Sequence, residues 1–262
     1  MYRPGFLRVI VLAGALLTLA AAALAAAPQG SSNDSQLKAQ IERKVSDLKV
    51  PRGRVTVSVQ DHVVTLDGML QTLWDKHQII DFARMLEGIT EVRSTIAIVK
   101  PESDTQLAQE VGNALKSYSH YTVFDYIDGN VRNGVVTLTG VVALSQLELG
   151  NIVDKHPEII ERIEKIRGVQ DLKDQIKVVE YLPTDDAIRY ELATRIISDP
   201  LFRQYSFNNP PIHMVVDHGH VTLIGIVASP IERQKAYEIA RSISGIFTVD
   251  NQIKTAAELK GK

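Results

Sequence analysis

The chain has 262 residues, a formal net charge of −2, 45% hydrophobic residues and no cysteine. No disulfide framework and no thiol for lipid attachment are available, and a mildly acidic chain is a poor nucleic-acid binder. What remains is a chain long enough for more than one domain.

Arg3 and Arg8 precede an apolar run from Val9 to Leu24 that turns alanine-rich and breaks at Pro28. This pattern reads as a secretory signal peptide over residues 1–27, cleaved after Ala25. A retained membrane anchor would need roughly 20 apolar residues, more than the run supplies. Loss of the two arginines takes the net charge to −4. The polar stretch 28–34 reads as a flexible leader.

Leu37, Ile41, Val45 and Leu48 make a helical apolar stripe, ended by Pro51 and Gly53. Val55, Val57 and Val59 alternate as a half-buried strand. Asp61-His62 turns the chain into a second strand, Val63–Asp67, closed by Gly68. Thr72 is placed as the cap of a helix with Asp75 at its third position, running through Ile79, Ile80, Ala83 and Leu86 to Gly88. A strand over Val92–Val99 and then Pro101 close the segment.

The same order recurs twice. Val64-Thr65-Leu66-Asp67-Gly68 reappears as Val136-Thr137-Leu138-Thr139-Gly140 and as Val221-Thr222-Leu223-Ile224-Gly225. Gly88-Ile89 with Val92 and Ile96 reappears as Gly168-Val169 with Leu172 and Ile176, and as Gly245-Ile246 with Val249 and Ile253. Helices carry Leu107, Val111 and Leu115, then Ile188, Leu192 and Ile196. Hairpins turn at Asn133-Gly134 and at Asp217-His218-Gly219, and Ser229-Pro230-Ile231-Glu232 is a complete helix start. The middle copy is longer: seven extra residues lie between Ser145 and Gly168, the length of about two helical turns. They predict a longer second helix, kinked or split by Pro157 near His156. The expected fold is α+β, with three tandem units over 35–100, 104–180 and 184–255 and a tail over 256–262. Each is helix-strand-strand-helix-strand, with two helices on a three-stranded mixed sheet. Gly68, Gly140, Gly225, Gly88, Gly168 and Gly245 are fold determinants in this reading.

The strand Val-Thr-Leu-x-Gly, the helix start Ser229 to Arg233 and the ending Gly245 to Ile253 resemble the BON domain. That resemblance implies an exported, non-enzymatic module that binds phospholipid surfaces or envelope partners, in proteins that protect against osmotic or envelope stress. It carries over no catalytic residue and no cofactor. The alternative from another class is a soluble carrier or sensor of a small solute or ion held in inter-domain clefts.

Chemistry-bearing groups are sparse. His213, His218 and His220 fall short of a metal site, because hairpin pairing of Asp217 with His220 puts His213 at the far end, and zinc takes three or four ligands. Glu158, Glu161 and Glu164, beside Arg162 and Lys165, have the spacing of a solvated helix face. In the aromatic stretch Leu201, Phe202, Tyr205 and Phe207, Leu201 and one or two of the rings are expected to cap the third core, the alternative being a partner-binding loop. Lys plus Arg outnumber Asp plus Glu only in the first unit, by 10 to 8. There Lys49, Arg52 and Arg54 open the first strand, while Leu73 and Trp74 follow the second, so pairing brings both to one edge. These five residues are the candidate lipid or partner contact, since tryptophan beside cations suits an interface with anionic lipid. The competing reading puts Trp74 in the core, as the aligned residue is Ile231.

Overall fold

The computed structural model describes residues 29–146, 152–205 and 211–260. The proposed signal peptide and Phe207 lie outside the described residues. The first region comprises α1 (Gln29–Asp47), β1 (Val55–Gln60), β2 (Val63–Leu70), α2 (Leu73–Met85), β3 (Glu91–Ser94) and β4 (Ala97–Ile98). The central region comprises α3 (Asp104–Lys116), β5 (Tyr126–Arg132), β6 (Val135–Ala143), β7 (Ser145–Gln146), β8 (Ile152–Val153), α4 (His156–Glu164) and β9 (Asp171–Val179). The third comprises α5 (Pro183–Ser198), β10 (Ile212–Asp217), β11 (His220–Val227), α6 (Pro230–Arg241), β12 (Thr248–Thr255) and α7 (Ala256–Lys260).

Each region builds a sheet in which the hairpin's second strand lies in the middle: β1-β2-β3, β5-β6-β9 and β10-β11-β12. The hairpin pair is antiparallel and the last strand parallel. A helix joins the two parallel strands, as such a connection requires. Val64 and Leu66, Val136 and Leu138, and Val221 and Leu223 are completely or almost completely buried, so alternate residues of each central strand face one core. The hairpins close through two residues of positive φ: 49° and 64° at Asp61 and His62, 53° and 76° at Asn133 and Gly134, and 52° and 75° at His218 and Gly219. These left-handed pairs match the twist of the flanking strands.

Several expectations change. The stretch 29–34, expected as a leader, is the first turn and a half of α1, and the start of the tail is α7. β2 continues through Met69 to Leu70, because the Met69 N–H donates to the Arg54 carbonyl at 2.9 Å. The expected Val92–Val99 strand divides at Thr95, whose hydroxyl turns to the Asp67 carboxylate at 2.6 Å. The extra residues of the central region do not lengthen a helix. Ser145 enters β7, which pairs antiparallel with β8, and α4 is only 9 residues long. Pro157 opens α4 rather than kinking it, since a proline in the first turn lacks only an N–H that no helical carbonyl would accept.

Capping follows the sequence. The Thr72 hydroxyl accepts from the Asp75 N–H at 3.1 Å, and Ser229 and Glu232 form a complete capping box. Phe202 is buried in the third core and Tyr205 packs against it, whereas Leu201 is exposed.

Candidate functional site

The aligned aspartates Asp34, Asp104 and Asp185, unnoticed in the sequence, set the ends of the hairpins. Asp104 and Asp185 lie in the first turn of their helices and Asp34 lies further into α1, each three residues before Leu107, Ile188 or Leu37. The two carboxylate oxygens of each accept the N–H groups of the hairpin turn: from Asp61 and His62 at 2.9 and 3.2 Å, from Asn133 and Gly134 at 2.6 and 2.8 Å, and from His218 and Gly219 at 2.6 and 2.8 Å. A fixed spacing of aspartate before the apolar stripe was the available signal.

The five candidate contact residues separate. Lys49, Arg52 and Arg54 are exposed around the turn between α1 and β1, and Met69 next to Arg54 is 46% exposed. Leu73 is 3% exposed and belongs to the core of the central region, so it offers no surface and leaves the candidate set. Trp74 is half-buried, with the Lys165 ammonium 4.6 Å from its ring centroid, a cation–π contact. The alignment with Ile231 does not predict a core position, because Ile231 is 70% exposed.

Trp74 thus sits at a joint between the first and central regions. His77 Nδ1 lies 3.0 Å from Glu164, the Gly168 N–H donates to the Gln71 carbonyl at 3.1 Å, and the Gln170 amide donates to the Val99 carbonyl at 2.6 Å. Among the α4 carboxylates Glu158 and Glu161 are exposed, as the spacing predicts, whereas Glu164 is drawn into the joint. Glu158 accepts from the Tyr118 hydroxyl at 2.8 Å and Glu164 is bound across the joint, while Glu161 pairs with Lys165.

The second joint centres on Asp125. Lys155, 2% exposed, donates to both oxygens of the fully buried Asp125 at 3.0 and 2.8 Å. The same carboxylate accepts from the Ala143 N–H at 3.0 Å and from the Thr122 N–H and hydroxyl at 2.8 Å each. Its main-chain carbonyl takes the Nδ1–H of His213 in the third region at 2.5 Å. The Met214 N–H donates to the Val123 carbonyl at 2.6 Å, and Lys177 pairs with Asp217 at 2.5 Å. Tyr126, Tyr205, Pro211, His213, Ile224 and Lys254 line a cleft of about 540 Å³ beside this joint.

His213 lies 5.8 Å from the Tyr121 ring and 5.7 Å from that of Tyr126. Burial holds its pKa below 6.5, opposed by the hydrogen bond to the Asp125 carbonyl. Neutral histidine is therefore favoured in the folded state. As pH falls below 6.5 the unfolded chain takes up the proton first, so this group's contribution to stability declines until pH reaches the folded pKa. His218 works the other way. Asp217 raises its pKa, and its contribution is present below 6.5 and lost as pH rises through the folded value. Urea unfolding from pH 7.5 to pH 5.5 is expected to show wild type losing stability relative to His213→Gln as pH falls; parallel curves would contradict this assignment.

Among the described residues no group of histidine and carboxylate side chains could hold a metal ion, and no helix is long and apolar enough to cross a membrane. His213 pairs with Ile224 and Asp217 with His220, which puts His213 and the other two histidines at opposite ends of the hairpin.

The class is α+β, with helices packed on sheets that combine an antiparallel hairpin and a parallel third strand. The family model of the BON domain matches residues 33–100 and 184–257, more than half of the chain. The chain belongs to the BON domain family. None of the curated proteins matches it. Among solved structures, the C-terminal domain of CdsD, a structural protein of the type III secretion system of Chlamydia trachomatis, is 14% identical with a TM-score of 0.24. That match covers 83% of this chain and 96% of that one. A second CdsD structure is 13% identical, with coverages of 86% and 95% and the same TM-score. At that score the two matches support no conclusion.

Proposed function

We propose that this is a non-catalytic protein of the bacterial cell envelope, exported to the periplasm and acting by binding, in envelope maintenance or osmotic protection. Its leading target is the phospholipid surface. The observation that carries this reading, beside family membership, is the exposed turn bearing Lys49, Arg52 and Arg54 with Met69 alongside. Each cation near an anionic surface contributes about 1 kcal/mol, and an exposed methionine adds an apolar foothold. Trp74, at the start of the helix that follows β2, borders this contact in the proposal.

In the same reading the chain holds three BON-like units, 35–100, 104–180 and 184–255, the central one diverged by its β7–β8 hairpin. The shared strand order, the aligned turn-binding aspartates and the aligned glycines support the central unit. The alternative reading, a carrier of a small solute, is favoured by the cleft beside His213. Vesicle flotation separates the two, because a solute carrier stays in the aqueous fraction. Arg52→Glu with Arg54→Glu is expected to abolish recovery with anionic vesicles while leaving the melting temperature within about 2 °C of wild type, as exposed changes do.

A further inference from the structure

The groove beside the first helix is walled on its strand side in the third region by another part of the chain. There α5 presents a hollow lined by Asp186, Arg189, Tyr190, Ala193 and Ile197, and Phe124 of the central region forms its other wall. Phe124 and Val123 pack on the third core. The Met214 N–H of the edge strand β10 donates to the Val123 carbonyl. A turn whose carbonyl takes an edge-strand N–H, with one aromatic ring against the adjoining hollow, is thus a docking mode this chain already uses on itself.

The central region presents the same groove. Leu107 and Ile188 each follow a turn-binding aspartate by three residues, so α3 and α5 align. Gly129 pairs with Leu138 as Met214 pairs with Leu223, so β5 and β10 align as well. Thr105, Ala108, Gln109, Gly112 and Asn113 therefore stand where Asp186, Arg189, Tyr190, Ala193 and Thr194 stand. They line an open groove of about 810 Å³, against about 430 Å³ in the third region. Ala108 and Gly112 in place of Arg189 and Ala193 account for the added room. In the first region these two positions hold Lys38 and Glu42, which pair with each other at 3.7 Å.

Gly112 is the second observation. A glycine inside a helix costs about 1 kcal/mol relative to alanine. A Cβ at this position would meet nothing within 4 Å, so packing within the chain does not require its absence. The strand side is equally open: Asp128, Gly129 and Asn130 are exposed, and the Gly129 N–H donates to the carboxylate of the neighbouring Asp128 at 2.9 Å. An incoming carbonyl replaces that acceptor directly.

We propose that the α3–β5 groove docks a turn of a partner protein, one of its carbonyls bonded to the Gly129 N–H and an aromatic side chain seated over Ala108 and Gly112. The amides of Gln109, Asn113 and Asn130 on the rim supply donors and acceptors for the turn's main chain. The equivalent segment of a second copy does not serve, because its Val123 and Phe124 are committed to its own third region. This inference is independent of the lipid reading.

The probe is a synthetic peptide copying residues 119–126, the segment that carries Phe124, titrated into the isotope-labelled mature chain and followed by NMR. Saturable shifts are expected at Ala108, Gly112, Gly129 and Asn130, with a dissociation constant below about 1 mM. A peptide with alanine in place of the phenylalanine should bind at least about tenfold more weakly, roughly the effect of losing a buried aromatic anchor. Gly112→Phe should abolish the shifts, whereas Gly112→Ala should keep them and raise the melting temperature. No saturable shift at these amides, shifts confined to α5 and β10, or equal binding by the alanine peptide would overturn the proposal. Because the peptide pair needs no change in the protein, the test holds even if Gly112→Phe does not fold.

Discussion

Gly140→Val is expected to unfold the central region or to lower its stability by on the order of 4 kcal/mol or more, the range reserved for severe mechanisms. Gly140 has a φ of 125°, a conformation closed to β-branched side chains. The space is closed too. A Cβ built there falls onto the Tyr126 carbonyl oxygen of the neighbouring strand, and backbone cannot rotate away as a side chain can. Gly68 and Gly225 meet the carbonyls of Arg54 and Pro211 in the same way. Urea unfolding followed by circular dichroism checks this. The proper reference is an exposed strand position such as Lys173→Ala, not Lys177→Ala, because Lys177 pairs with Asp217 across the second joint. Equal midpoints for Gly140→Val and Lys173→Ala would contradict the argument.

Asp125→Ala carries the next largest effect, a loss of about 3–5 kcal/mol, the usual cost of leaving one member of a buried pair without the other. Among the described residues Lys155 would keep a buried charge with the His120 carbonyl at 3.2 Å as its remaining acceptor. The Thr122 and Ala143 N–H groups would lose their acceptor as well. This last point separates Asp125 from an ordinary buried ion pair. Replacing such a pair by apolar residues is often neutral. Here Asp125→Leu with Lys155→Met is expected to remain destabilised, since no aliphatic side chain accepts from those two donors. Thermal unfolding of the single and double variants decides; a double variant as stable as wild type would show that the main-chain bonds contribute little.

The parts of the fold that were legible in the sequence are those fixed within a few residues. Asn133-Gly134 specifies its turn by backbone conformation, and Ser229-Pro230-Ile231-Glu232 carries both halves of a capping box, so neither needs a distant partner. Pro157 shows the limit. A proline starts one helix and bends another by the same missing N–H, and only the β7–β8 pairing, two residues long on each strand, decides which. The turn-binding aspartates were visible as a spacing, yet their role depends on a hairpin some thirty residues onward. The candidate contact was legible in part. Exposure of Lys49, Arg52 and Arg54 follows from their local polarity. The burial of Leu73 and the covering of Trp74 by Lys165 follow from how two regions pack, which no local pattern encodes. The α3–β5 groove stands out by contrast with its aligned counterpart, which Phe124 walls on one side.

The most direct test of the envelope-binding account is flotation of the mature protein with vesicles of phosphatidylglycerol and of phosphatidylcholine, at low salt and at about 0.5 M salt, where screening is nearly complete beyond a few ångströms. The account predicts recovery with the anionic vesicles at low salt, little with the neutral ones, and loss at high salt or with Arg52→Glu and Arg54→Glu together. Protein that stays in the aqueous fraction under every condition, or that floats equally with neutral vesicles and with the charge-reversed variant, would contradict it.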